Sequence, residues 1–254
     1  YLYILNGNTG EVLSKAWLGT NYISSDSAAG GYTGLAGTKG IESSAAIADI
    51  NGNGTLDAVV GTATGNITVV FLSPMGTILG IYNFTACGPV FSSPAVSDID
   101  NDTELEIVVG SDCGDVYALN WNQSMTQLLP EWVFGSADDR TPFRSSPALA
   151  ARNSTETANK DVYIGSDGGW LYLINGTNGS LIDRFQAAGP VRTSPVVADI
   201  DGDNRLEVLF VDWQKPDNIW LLEDTGSNVT GCSPPASCAW PTFRANAART
   251  GVIP

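Results

Sequence analysis

Four segments of this chain repeat one short pattern, and this repetition constrains the fold more than any other feature of the sequence. In each segment two small residues, mostly hydroxyl-bearing, precede a short apolar run. The segments are residues 43–49 (SSAAIAD), 92–98 (SSPAVSD), 145–151 (SSPALAA) and 193–199 (TSPVVAD). A repeat of about fifty residues is one supersecondary unit, so the architecture must be assembled from copies of that unit.

Each repeated segment is followed by two short runs of β-branched or aromatic residues around a turn rich in Gly, Asp or Asn, as in VVGTATGNITVVF from Val59. This pattern predicts a β-hairpin. Together with the repeated segment and a later strand, each repeat supplies four strands, A to D, and no helical periodicity lies between them. Four antiparallel strands in each repeat are typical of a β-propeller blade.

The sequence therefore predicts an all-β chain that forms a single β-propeller domain over residues 1–254, with four complete repeats and a half-blade at the N-terminus. The predicted blades are residues 1–40 (partial), 41–88, 89–141, 142–189 and 190–254. Residues 1–13 match residues 170–182 almost position for position, so the chain is expected to begin at strand C. A half-blade has an unpaired edge. We expect upstream sequence, self-association or another chain to complete it by strand addition.

Three repeats carry an acidic loop directly after strand A, with oxygen-bearing side chains at loop positions 1, 3, 5 and 9. We call residues 49–57 loop 1, residues 98–106 loop 2 and residues 199–207 loop 3. Ca²⁺ takes six to eight oxygen ligands, and alternate side chains of a tight loop can converge on one ion. The predicted calcium ligands are Asp49, Asn51, Asn53 and Asp57; Asp98, Asp100, Asp102 and Glu106; and Asp199, Asp201, Asp203 and Glu207.

Two alternatives apply to these loops. An EF-hand needs flanking helices and a Glu at position 12, whereas position 12 is Val60, Val109 or Phe210 in a predicted strand. Asp, Asn and Gly are also good turn formers without any metal. The remaining repeat has Ala151 and Asn153 at the first and third positions, so no metal is predicted there.

The repeats and their acidic loops resemble FG-GAP repeats of integrin-type propellers, and also the related repeats of pyrroloquinoline-quinone (PQQ) propellers. The resemblance covers almost the whole chain, and the acidic loop is its most specific part. The first likeness implies a calcium-stabilised adhesion or structural protein. The second implies a PQQ-dependent dehydrogenase.

The cysteines and N-glycosylation sequons favour an oxidising, extracellular location. Cys232 and Cys238 bracket a short loop and are expected to pair. Cys87 and Cys113 lie in turns that should emerge on the same face of a blade, so they are expected to form the second disulfide. The sequons predicted to carry glycans are at Asn66, Asn83, Asn122, Asn153, Asn175, Asn178 and Asn228.

Charge and composition restrict the function further. The net charge is −15, which disfavours nucleic acid as a partner. The chain has no histidine, which excludes Ser-His-Asp catalysis, and no apolar run is long enough to span a membrane. We expect a non-enzymatic structural or adhesion protein of the cell surface, such as a subunit of a surface layer or filament. Its partner would be another copy, a surface protein or a glycan. A PQQ-type dehydrogenase and a carbohydrate-binding module that uses Trp170, Trp213 and Trp220 are the alternatives.

Overall fold

The computed structural model describes residues 1–18, 40–135, 140–153 and 159–229, together with the backbone of residues 239–240. Strands and turns form this described part, which contains no helix and therefore no helix that could cross a bilayer. All the strand pairings between named strands are antiparallel.

Consecutive strands pair with one another to form five successive sheets. The half-blade contains β1 (Leu2–Leu5) and β2 (Val12–Ala16). Blade 1 contains β3 (Ala46–Ala48), β4 (Asp57–Gly61), β5 (Asn66–Leu72) and β6 (Ile78–Thr85). Blade 2 contains β7 (Ala95–Ser97), β8 (Glu106–Gly110), β9 (Asp115–Asn122) and β10 (Gln127–Gly135). Blade 3 contains β11 (Ala148–Ala151), β12 (Lys160–Gly165), β13 (Trp170–Ile174) and β14 (Leu181–Gln186). Blade 4 contains β15 (Val196–Ala198), β16 (Leu206–Val211) and β17 (Ile219–Asp224).

The sheets of blades 1, 2 and 3 have the four strands that the sequence predicts. In blade 4 the structure describes three strands, and the expected position of the fourth lies outside the described residues. A further two-residue strand, β18 (Ala239–Trp240), pairs with β11 of blade 3 and was not predicted. No strand pairing among the described residues joins the half-blade to blade 4, so the described sheets do not close into a ring.

The hydrophobic core consists of four clusters, and each lies between two successive sheets. Side chains alternate between the two faces of a strand, so neighbouring residues of one B strand enter different clusters. In β4, Val59 faces blade 2 and Val60 faces the half-blade. In β8, Val109 faces blade 1 and Val108 faces blade 3. Both faces of an interior blade are therefore covered, and the five residues of β4 and of β8 are all buried.

The repeated pair of small residues at the start of strand A links neighbouring blades. Ser44 N donates to Ser93 Oγ at 2.8 Å, and Ser93 N donates to Ser146 Oγ at 3.0 Å. The preceding serine binds within its own blade, since Ser43 Oγ donates to Gly61 O at 2.9 Å. The motif thus satisfies buried backbone groups and joins blades 1, 2 and 3 at the start of their A strands.

Candidate metal centres

The three acidic loops share one backbone conformation. Positions 4 and 6 of each loop have positive φ angles. These residues are Gly52 (68°) and Gly54 (82°), Asn101 (67°) and Thr103 (81°), and Gly202 (81°) and Asn204 (70°). The first aspartate of each loop accepts backbone amides across the turn; Asp98 Oδ2, for example, accepts from Thr103 N at 3.1 Å. This fold brings the side chains at positions 1, 3 and 5 together in loop 3, and those at positions 1 and 3 in loop 2.

Loop 2 brings its carboxylates together most completely. An oxygen of Asp98, one of Asp100 and one of Glu106 lie within 4.8 Å of one another. Glu106 is fully buried: its Oε2 accepts from Ile99 N at 2.8 Å, while Oε1 has no hydrogen-bond partner. Burial raises the pKa of Glu106 to about 8. A buried carboxylate oxygen without a partner beside two further carboxylates matches the oxygen-ligand chemistry of Ca²⁺.

Loop 3 groups Asp199, Asp201 and Asp203, whose carboxylate oxygens lie within 4.8 Å of one another. Glu207 is buried beneath the loop, and its Oε2 accepts from Ile200 N at 2.6 Å. The grouped positions differ from those of loop 2: loop 3 brings together positions 1, 3 and 5, whereas loop 2 brings together positions 1, 3 and 9.

Loop 1 differs in its ninth residue, which is an aspartate. Both oxygens of Asp57 accept backbone amides: Oδ2 accepts from Ile50 N at 3.2 Å and Oδ1 from Leu72 N at 3.1 Å. Asn51 and Asn53, at positions 3 and 5, are neutral, and their Oδ1 atoms accept amides within the loop. Loop 1 therefore has the least carboxylate oxygen to offer a cation, although its backbone follows the shared pattern.

Glu131 is an acidic neighbour of loop 2 that the sequence analysis missed. The register of β10 against β9 shifts between Pro130 and Trp132, and Glu131 lies at this bulge, exposed to solvent and close enough to Asp100 to be affected by its charge. Burial, followed by the charge of Asp100, raises the pKa of Glu131 to about 7. The signal available in the sequence is only a Pro-Glu pair within strand D, so the bulge could not be inferred from it.

In blade 3 part of the corresponding loop lies outside the described residues, and the described residues beside it include two half-buried basic side chains. Arg152 donates two hydrogen bonds to Asp224 of blade 4, from Nε at 2.5 Å and from Nη2 at 2.7 Å. Lys160 Nζ donates to the main-chain oxygen of Asp98 in loop 2 at 3.0 Å. The blade keeps one acid, Asp161, which pairs with Ala150 as Asp57 pairs with Ala48 and lies 3.8 Å from Arg152. That this repeat binds no metal stays a prediction.

The cysteines that the structure describes are paired. Cys87 and Cys113 form a disulfide with a Cα–Cα distance of 5.9 Å, and it joins the connection between blades 1 and 2 to the β8–β9 turn. Tyr117 lies beside it, and its hydroxyl accepts from Cys87 N at 3.1 Å. Cys232 and Cys238 lie outside the described residues.

The predicted glycosylation sites all lie on accessible parts of the blades. Asn83, Asn153, Asn178 and Asn228 are exposed, and Asn66, Asn122 and Asn175 are half-buried. Several use Oδ1 as an acceptor; Asn83 Oδ1, for instance, accepts from Thr68 Oγ1 at 2.6 Å. Among the described residues, no hydrogen bond engages the Nδ2 atoms of these seven asparagines, which are the atoms that a glycan would modify.

Solved structures that are similar to this arrangement include β-propeller proteins. BBS1N, in its complex with ARL6DN, is similar with a TM-score of 0.52 and 9% identity, over 73% of this chain and 54% of that one. BamB from Moraxella catarrhalis has a TM-score of 0.45 and 15% identity, over 72% and 53% of the two chains. The β-propeller domain of Cps50 (Swd1) from Myceliophteria thermophila has values of 0.43 and 14%, over 65% and 49%.

The likeness to BBS1N, at 9% identity, shows the fold alone. The prediction of an all-β chain built of antiparallel four-stranded sheets in a propeller-like arrangement is confirmed. The chain spans about half the length of these solved structures. No protein-family model and no curated protein sequence matches the chain.

Proposed function

We propose that this chain is a non-enzymatic extracellular protein with FG-GAP-type blades, stabilised by calcium and N-glycosylated, which serves a structural or adhesive role at the cell surface. The observation that carries the proposal is the loop 2 cluster, where the partnerless Glu106 Oε1 is buried beside Asp98 and Asp100. A cluster of this kind is electrostatically unfavourable by itself and becomes favourable with a divalent cation.

The ligands proposed at loop 2 are Asp98, Asp100 and Glu106, whose oxygens lie within 4.8 Å of one another, together with Asp102, which is exposed and lies outside that group. Glu131, which is affected by the charge of Asp100, is a further candidate. A bound calcium ion would supply the positive charge that this cluster lacks. Lys160 places one positive charge near loop 2, which is too little to neutralise the several carboxylates of the loop. The position of the loop, between strands A and B on the outside of a packed core, suits a cation that stabilises structure.

The exposed sequons and the Cys87–Cys113 disulfide support an extracellular location, because both modifications belong to oxidising secretory compartments. Strand addition to the half-blade of β1 and β2, by a second copy or by another chain, is part of the proposed structural role.

The test is a matched pair of variants in loop 2. Glu106→Gln removes the buried carboxylate, whereas Glu104→Gln removes an equal charge from an exposed position of the same loop. Calcium at about 100 times its Kd should stabilise the wild-type protein by about 2.7 kcal/mol relative to a chelator. We expect Glu104→Gln to keep most of this gain and Glu106→Gln to lose most of it.

The measurement is the melting temperature in chelator, in calcium and in magnesium at equal ionic strength. Magnesium should give a smaller gain, since it requires a tighter octahedral shell. A melting temperature that does not respond to calcium, or an equal response from both variants, would contradict the proposed metal centre.

A further inference from the structure

The interface between blades 3 and 4 contains a cleft of about 310 Å³, and the described residues line it completely. Its apolar walls include Leu171, Leu173, Phe185 and Leu222. Its polar lining includes Arg152, Tyr163, Asp183 and Asp224. The volume lies at the lower end of the range for small-molecule sites, which is roughly 300–1,000 Å³.

The corresponding interface between blades 1 and 2 is filled by aromatic rings. Tyr82 of β6 meets Trp121 of blade 2 with a ring separation of 4.8 Å, and Phe71 lies 4.7 Å from the same Trp121 ring. Between blades 2 and 3 the filling side chain is Trp132. Its Nε1 donates to Gly176 O at 2.6 Å.

In blade 3 the residue equivalent to Tyr82 and Trp132 is Asp183, because the strand registers pair all three with the same position of strand C. Tyr82 pairs with Val69, Trp132 pairs with Ala118, and Asp183 pairs with Leu173. The side chains at this paired position face the next blade along the chain. An exposed carboxylate therefore stands where the two preceding interfaces have an aromatic ring, and the missing ring leaves the cleft open.

The base of the cleft is a satisfied ion pair. Asp224 accepts two hydrogen bonds from Arg152, one from the Tyr163 hydroxyl at 2.6 Å and one from Gly226 N at 3.0 Å. The Arg152 and Asp224 side chains are only 17% and 8% exposed. This hydrogen-bonded network forms the floor of the cleft, and the charges of Arg152 and Asp224 cancel.

Two further charges of the lining are engaged. Glu223 forms an ion pair with Arg205, and the Arg184 guanidinium lies 4.4 Å from the centre of the Trp170 ring. The lining therefore offers apolar walls and the exposed Asp183 carboxylate, which can only accept hydrogen bonds. A ligand that fits it must offer hydroxyl or amide donors to Asp183 and an apolar face to the walls.

We propose that the cleft between blades 3 and 4 binds a neutral saccharide unit. Sugar hydroxyls both donate and accept, and the C–H face of a sugar ring packs on apolar and aromatic walls such as Leu173 and Phe185. The volume suits one ring with its flanking linkage. The site shares no residue with the calcium loops, so it extends the proposed function without depending on it.

The experiment uses saturation-transfer-difference NMR of the whole protein with the methyl glycosides of glucose, galactose, mannose and N-acetylglucosamine at millimolar concentration. At least one glycoside should give a signal. Asp183→Trp should abolish the signal and raise the melting temperature, because it restores the ring that Trp132 supplies one blade earlier. Asp183→Ala, which only shortens the side chain, should weaken binding by about tenfold or more through loss of a charged hydrogen bond.

Asp217→Trp is the matched control, since Asp217 is exposed in blade 4 and does not line the cleft. It should leave the glycoside signal unchanged. Three results would overturn the proposal: no signal from any glycoside with the wild-type protein, a signal that survives Asp183→Trp, or a response to N-acetyltryptophanamide in place of the glycosides. The calcium response of the Glu104 and Glu106 variants is measured separately, so failure of one proposal is distinguishable from failure of the other.

Discussion

Thr103 has a backbone φ of 81°, which a β-branched residue adopts at a cost because its Cβ crowds the backbone. The equivalent residues are Gly54 in loop 1 and Asn204 in loop 3, which tolerate this region better. Thr103 N donates to Asp98 Oδ2 at 3.1 Å, so the hydrogen bonds of the loop impose the conformation.

We expect Thr103→Gly to stabilise the unglycosylated protein by about 1 kcal/mol, because glycine relieves the left-handed strain and keeps all the carboxylate oxygens of loop 2. The control is Thr55→Gly, one position later in loop 1, where φ is not positive and glycine should destabilise. Urea denaturation with and without calcium measures both effects. A loss of stability in Thr103→Gly would count against a strained loop.

The sequence could predict where the acidic loops lie but not which oxygens of each loop are free to bind a cation. The spacing of the acidic residues predicted three loops after strand A, and carboxylate oxygens of Asp98, Asp100 and Glu106 lie within 4.8 Å of one another, while calcium binding stays a prediction. The spacing could not show that the shorter Asp57 would use both its oxygens on backbone amides, since that depends on the distance between strand and turn. The contribution of Glu131 was hidden for a similar reason, because a bulge in β10 decides where it points.

At the scale of strands, paired runs of β-branched or aromatic residues around a turn rich in Gly, Asp or Asn predicted the hairpins, and the repeated small-residue pair marked strand A. The sequence identified this pair as part of the repeat but did not predict which contacts it makes. In the structure Ser93 accepts from Ser44 N and donates its own amide to Ser146 Oγ. Pairing between blades involves residues about fifty positions apart, so local pattern alone could not reveal it.

Ser93→Ala should therefore lower the free energy of unfolding by roughly 1–2 kcal/mol, because it removes the acceptor of a partly buried amide. Ser97→Ala is a suitable control, since Ser97 is also buried but its hydroxyl makes only a 3.4 Å bond to the adjacent Asp98 O. Chemical denaturation of the two variants gives the comparison. Equal losses would mean that the links between blades contribute nothing specific.

At the scale of the whole molecule, 27 acidic residues face 12 basic ones. Part of the basic set bridges turns of different blades: Arg144 binds Asp112 and approaches Asp167, and Arg192 binds Asp167. These pairs offset only local charge, so self-repulsion remains across the molecule at neutral pH.

Monovalent salt should accordingly raise the melting temperature even in the presence of a chelator, because it screens this repulsion. Calcium at the same ionic strength should add a further increase, since it acts at the loops rather than through screening. A salt series in NaCl, repeated with a small fixed amount of CaCl₂, separates the two contributions. A melting temperature independent of NaCl would show that net charge does not limit stability.

The packing of the B strands between two blade interfaces affects how the protein unfolds. Since Val59 and Val60 belong to different clusters, as do Val108 and Val109, each interior B strand is shared by two interfaces. Melting one interior sheet alone would expose the apolar faces of both its neighbours. The stability of the described sheets is then approximately a sum over neighbouring pairs, as in repeat proteins, and no interior blade unfolds independently of the two beside it.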